Sequence, residues 1–157
     1  MDLEPLFAAM KVSTSGLTAQ RKRLDVVAEN LANIETTRTA EGGPYRRQVV
    51  SFQEERALVI SSTEPGEAGG NDTSAQPGTI EQQEFRGVSG QIREDSSPFP
   101  EVYDPGHPDA NSEGFVKYPN VDIVTEMTEL ISATRAFEAN VTAFNAAKQM
   151  MRKALEL

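Results

Sequence analysis

Two apolar stripes with a seven-residue period, one at each end of the chain, limit what this sequence can fold into. In the N-terminal third Leu3, Met10, Leu17, Leu24 and Leu31 recur without a miss. Leu6, Val27 and Ile34 fall three residues after that register, and Phe7 and Ala28 four after. In the C-terminal third Ile123, Leu130, Phe137, Phe144 and Met151 keep the same period. Met127, Val141 and Leu155 flank them four residues on, with Thr134 and Lys148 as exceptions. A 3.5-residue apolar repeat marks a helix packed along a coiled-coil seam. Each helix would run roughly 50 Å at ~1.5 Å per residue, and the match in length and phase predicts that the two pair with each other, parallel or antiparallel.

Local signals refine both helices. Ser13, Thr14, Ser15 and Gly16 are poor helix formers, so a bend is expected at the centre of the first. Pro119-Asn120 reads as a stop followed by an N-cap for the second. Asp122, Glu126 and Glu129 then sit near the positive end of its dipole, and Lys148, Arg152 and Lys153 near the negative end. Alanines at 133, 136, 139, 143, 146 and 147 point in several directions. They fit either plain helix propensity or a helix packed on more than one side.

The middle changes character. YRRQVVSF (45–52) and short pieces near Glu84–Val88 and Glu101–Tyr103 hold strand formers. The stretch 61–79 is rich in Gly, Ser, Thr, Pro and acids and reads as a mobile loop, while 97–120 has five prolines and reads as an extended, turn-punctuated path. The organisation expected is therefore an axial helix over 1–37, a small β-rich middle module over 38–119, and a second axial helix over 120–157. The fold class is mainly α.

Charge and composition exclude several functions. The formal net charge is -9, and residues 61–113, with eleven acids and two bases, carry all of it. Nucleic-acid binding needs clustered Lys and Arg, and the one triplet, Arg21-Lys22-Arg23, lies in a neutral helix where it reads as a solvated face. There is no cysteine, hence no disulfide, thiol nucleophile or thiolate metal site. With 38% hydrophobic residues and 6% aromatics, the helix pair is expected to be marginal alone and to gain order on assembly.

Candidate chemistry is sparse. The one histidine, His107, lies near Asp104, Asp109 and Glu113, a set that could hold a divalent cation or supply a base. A turn whose carboxylates bond local backbone explains the same residues. Arg46 and Arg47 would form an anion site only if they shared a face, and neighbours in a strand do not. No phosphate-binding glycine loop, nucleophile elbow or zinc-binding HExxH is present, so no catalytic residue, metal, cofactor or small-molecule substrate is expected.

Asn30 and Asn33, in LDVVAENLANIETT (24–37), are mediocre helix formers late in a well-kept stripe. By the heptad count Leu24 and Leu31 line the seam, Asn30 borders it, Asn33 lies outside, and neither asparagine is buried. Either they let the helix end, or their amides bond groups of a neighbouring chain and set register.

SGLTAQRKRLDVVAENLANIETTRT followed by GGPYRRQVVSFQ resembles the flagellar rod, hook and filament family of bacterial axial proteins. VYDPGHPDA and GFVKYPNVDIVTEMTELISATRAFEANVTAFNAAKQMM extend the likeness over more than two-thirds of the chain and point to a proximal rod subunit. The resemblance implies a non-enzymatic structural subunit of the basal-body rod, which crosses the periplasm. Its implied partners are other copies of itself, other rod proteins and the flagellar type III apparatus that exports it without a cleaved signal. It also implies that the terminal helices carry assembly, through Leu17, Leu24, Asn30, Leu31, Asn33, Leu130, Phe137, Val141, Phe144 and Met151, with the two asparagines matching the family's Asn-x-x-Asn pattern. The acidic 61–79 stretch is longer than the family leads one to expect. A hook subunit or another rod protein, or a coiled-coil adaptor, is the alternative reading.

Overall fold

Residues that bridge distant segments fix how the two heptad stripes meet. Gly16 lies against Asn140, Arg23 against Glu129 and Asn30 against Glu126. As the first helix ascends, its partner descends, so the pair is antiparallel. The computed structural model describes residues 4–61 and 81–156; the acidic loop expected at 61–79 lies, from residue 62, outside them. Helix α1 (Glu4–Ala32) and helix α2 (Ile123–Leu155) bracket two antiparallel β pairs, β1 (Gln48–Ser61) with β2 (Glu81–Glu94) and β3 (Glu101–Tyr103) with β4 (Phe115–Lys117). This is the mainly helical architecture with a small β-rich middle that the periodicity predicts. Among the described residues no helix is long and apolar enough to cross a membrane.

The bend expected at Ser13–Gly16 is absent, and α1 is unbroken from Glu4 to Ala32. The hydroxyls of Thr14, Ser15 and Thr18 donate to the carbonyls of Met10, Val12 and Thr14 at 2.9, 2.8 and 3.1 Å, so they bond their own helix rather than an alternative turn. Gly16 is there for proximity. A Cβ at that position would stand 3.1 Å from Asn140 Nδ2, closer than an added methyl tolerates without movement.

The inward stripe of α2 runs Glu126, Leu130, Ala133, Phe137, Asn140, Phe144, Ala147 and Met151, in alternating steps of four and three. Glu126, Ala133 and Ala147 are buried, and Leu130, Phe137, Asn140, Phe144 and Met151 are half-buried, as is Val141 beside them. The flanking seam positions are thus the small and polar residues three after the register. Of the apolar ones four after it, Met127 and Leu155 stay exposed, while Val141 is half-buried. In α1, Ala19, Val26 and Val27 are buried and Leu17 and Leu24 half-buried. Leu31, placed in the seam by the heptad count, is 37% exposed. The reason is that α1 faces two partners, so its buried arc lies between two directions.

The second partner is the β1–β2 ribbon, paired from Gln48↔Glu94 to Ser61↔Glu81. Val88 N donates to Ser15 Oγ at 3.1 Å and Lys22 Nζ donates to Gly90 O at 2.8 Å. Lys22 and Arg23 therefore do not form a purely solvated face: the Arg23 guanidinium lies 5.7 Å over the Phe52 ring and donates to Glu129 Oε2 at 3.0 and 3.1 Å. Phe52 and Gly90 are opposed on the side turned to α1, while Ser51, Gln53 and Gln91 turn away. Both strands run 14 residues, well past the strand formers at 45–52 and 84–88, because ladder pairing carries the polar stretches along.

The β3–β4 pair was half visible in sequence, β4 being missed. Tyr103 and Phe115 are opposed across it and meet edge to face at 5.3 Å. Gly114, at φ +83°, makes the turn before β4 in the left-handed region that a side chain would strain. The N-cap of α2 is Asp122, not Asn120; Asp122 accepts from Thr125 N at 2.9 Å. The Thr125 hydroxyl and N–H together hold the Asp122 carboxyl below the ordinary aspartate range.

Replacing Gly16 by Leu should force the helices apart at Asn140 and cost about 1–3 kcal/mol of stability. A urea midpoint equal to or above that of the unaltered chain would show that the helices do not meet there.

Candidate functional site

Among the described residues, the helix pair presents a buried polar node at one end and exposed apolar side chains along its length. The node begins with Asn30, whose side chain is buried with 0% exposure, contrary to the heptad count. Its Oδ1 accepts from Tyr45 Oη at 3.0 Å and from Gln48 N at 2.9 Å. Its Nδ2 donates to Gln48 O at 2.8 Å and to Glu126 Oε2 at 3.1 Å. All its hydrogen-bonding capacity is used, and the paired bonds to Gln48 imitate one rung of a β ladder at the start of β1. The bonds are made within the chain. Asn33 does a different job, donating from Nδ2 to Glu29 O at 2.9 Å and accepting from Thr36 Oγ1 at 3.2 Å as α1 ends.

Glu126, also at 0% exposure, is the node's anion. Its Oε1 accepts from Arg47 Nε at 2.6 Å, so each carboxylate oxygen has one donor. Arg47 reaches further, to Asp95 Oδ2 at 3.3 Å and Glu129 Oε1 at 3.8 Å. Burial works against the guanidinium's charge, but the hydrogen bond and charge of Glu126, backed by Asp95 and Glu129, outweigh it and raise the Arg47 pKa. Burial also drives the Tyr45 hydroxyl, with the charges of Glu29 and Glu126 behind it, up to about 12. Arg46 points away and stacks over the Phe99 ring at 4.4 Å, so Arg46 and Arg47 make no joint anion site. The heptads could not reveal this node, since Glu126 reads as one more acid near a helix N-terminus. The available signal was a charge at a seam position, seven residues before Ala133 and fourteen before Asn140.

The outward faces carry large apolar side chains. On α2, Val124, Met127 and Ile131 are 72%, 52% and 53% exposed at a spacing that forms one stripe. Leu31 lies at the same end of the pair, and Phe7, Val12, Met150 and Leu155 are exposed nearer the other. Ala139, Ala143 and Ala146 are exposed as well.

The His107 loop is tied up in its own turns. His107 Nδ1 accepts from Asp109 N at 3.1 Å, Asp104 Oδ1 accepts from Gly106 N at 3.1 Å, and Asp109 Oδ2 accepts from Thr37 Oγ1 at 2.8 Å. Among the described residues no group of three His, Asp or Glu side chains is placed to hold a metal ion.

Comparisons with known proteins meet this geometry at both helices. A family described as flagella basal body rod protein matches residues 10–38, and one described as flagellar basal body rod FlgEFG protein C-terminal matches residues 112–157. The flagellar basal-body rod protein FlgC of Bacillus subtilis is 46% identical, over 96% of this chain and 97% of that one. Those of Borreliella burgdorferi and Salmonella typhimurium are 42% and 38% identical, over 97% and 93% of this chain and 97% and 92% of theirs. The chain belongs to the FlgC family. Asn30 falls in the first matched stretch and Glu126 in the second, while Tyr45 and Arg47 lie between the two.

Because the folded Tyr45 hydroxyl titrates above its ordinary value of 10.0, it stabilises the fold fully below pH 10 and loses that contribution as pH rises through about 12. The contribution is on the order of 2–3 kcal/mol. Urea unfolding at a series of alkaline pH values should show this decline in the unaltered chain and a shallower one in Tyr45→Phe. Equal declines would remove Tyr45 from the node.

Proposed function

We propose that this FlgC-family chain is a structural, non-enzymatic subunit of the flagellar basal-body rod that joins its neighbours through the outward faces of its paired terminal helices. The observation that carries the reading is the stripe of Val124, Met127 and Ile131, with Leu31 at the same end of the pair. Scattered exposed apolar residues are ordinary, but a stripe at helical spacing on a helix whose other face is already occupied asks for a further partner. The exposed alanines of α2 would let a neighbouring helix approach closely, as Gly16 does within the pair.

In this reading the seam residues Leu17, Leu24, Leu130, Phe137, Val141, Phe144 and Met151 hold the subunit together. Leu31 and the outer stripe hold subunits to one another. Contacts between unlike patches that do not close into a ring generate a helical array, open-ended for growth. Packed helices resist twist, which is what transmitting torque along a shaft demands. Other copies and other rod proteins are the partners, and the chain reaches its periplasmic position through the type III export apparatus without a cleaved signal.

The test separates the two kinds of contact. Phe137→Asp puts a charge into the half-buried seam and should destabilise the isolated chain by about 2–5 kcal/mol as well as stop swimming. Leu31→Asp and Ile131→Asp should leave the isolated chain's unfolding within ~0.5 kcal/mol of normal and still stop swimming. Normal swimming in both surface variants would end the proposal.

A further inference from the structure

Asn30, Arg47 and Glu126 come from three segments far apart in the chain, yet each satisfies a group on another. At the base of the β1–β2 ribbon, main-chain groups bond side chains of the helical layer. Gln48 N and O bond the Asn30 amide, and Arg47 N donates to Asn120 Oδ1 at 2.9 Å, just before α2. Asp95 N, where β2 leaves the ribbon, donates to Arg47 O at 2.8 Å. The base is thus held from α1 by Asn30 and from the α2 side by Asn120 and by the Glu126–Arg47 pair.

We propose that Glu126 is a latch: docking of α2 fixes the base of the β1–β2 ribbon against α1, so the ribbon takes its set orientation only once α2 is in place. The inference does not depend on the rod reading. Its chemistry lies in the asymmetry of an amide. Gln48 N needs an acceptor, so Asn30 must present Oδ1 to it, and the Tyr45 hydroxyl donates to the same oxygen. Gln48 O and Glu126 Oε2 need a donor, so Nδ2 must face the other way. Gln48 N and O set that orientation, which turns Nδ2 towards the acceptor-only Glu126 carboxylate; a flipped amide would lose its bonds to Gln48 N, Gln48 O and Glu126. Arg47 adds reciprocity. Without it Glu126 would be a buried anion with its strongest donor gone, so the first turns of α2 and the ribbon base settle together. Beyond the base the ribbon packs on α1, with Gly90 against Lys22 and Ala19 and Phe52 under Arg23, and its described hydrogen bonds to α1 are the side-chain contacts of Ser15 and Lys22.

Amide hydrogen exchange resolved to single residues tests this in the full chain, with Arg47, Gln48 and Asp95 as reporters of the base and residues 133–147 as reporters of α2. In Glu126→Gln the base reporters should exchange about tenfold faster or more, with 133–147 unchanged. Glu129→Gln, which touches Arg47 only at long range, should leave the base protected. Should Glu126→Gln fail to fold, the double variant Arg47→Met with Glu126→Met decides, because it removes both charges and leaves none buried. It should keep its helical content while its base reporters exchange fast. Base protection equal to that of the unaltered chain in the double variant would overturn the latch. So would a loss of protection in Glu129→Gln as large as in Glu126→Gln.

Discussion

A carboxylate with no access to solvent governs this structure. Arg47 and Asn30 supply one donor to each oxygen of Glu126, so neither oxygen is buried without a partner. A buried ion pair adds little net stability compared with well-packed apolar residues, but breaking one side of it costs about 3–5 kcal/mol. The consequence is specificity of arrangement more than strength. Two helices with small residues at their contact could slide by a turn at modest cost. Glu126 permits one register, the one in which Arg47 and Asn30 meet it, and that register also seats the start of β1.

That constraint explains how so thin a core can hold long helices. The seam of α2 alternates alanine and asparagine with half-buried leucine, phenylalanine and methionine, and α1 answers with Gly16, Ala19 and Val27. Close approach takes the place of bulk: dispersion contacts between backbones stand in for large side chains. Other large side chains, such as Val124, Met127 and Ile131, lie outside the seam and remain on the surface. A seam that mixes small with half-buried large residues, beside further large apolar residues turned outward, suits a subunit that is one layer of a larger shaft.

Much of this was legible in the sequence, and the failures share a cause. The helices, their pairing and the β-rich middle followed from period and composition, because seven-residue repeats survive any choice of partner. Leu31 and Asn30 were misplaced because the heptad count assumes one partner per helix, whereas α1 packs on both α2 and the ribbon. The bend at Ser13–Gly16 was misread because propensity does not know that the hydroxyls bond their own helix or that the glycine faces Asn140. Glu126 was hidden by its plausibility as a dipole partner. Arg47 was hidden because its role needs three segments brought together, which no local pattern encodes. The likeness to axial proteins could be read directly from the quoted motifs, but it spoke to family and not to which contacts are internal.

Electron micrographs of detergent-purified basal bodies, from cells lacking this gene and from the same cells given it back, put the rod assignment at risk in a single step. Mass spectrometry of the particles accompanies them. Particles that lack rod and hook without the gene, and that regain both with this chain in fixed ratio, are what a rod subunit requires. Complete rods in its absence would contradict the assignment and leave the apolar stripe of α2 to be explained by another partner.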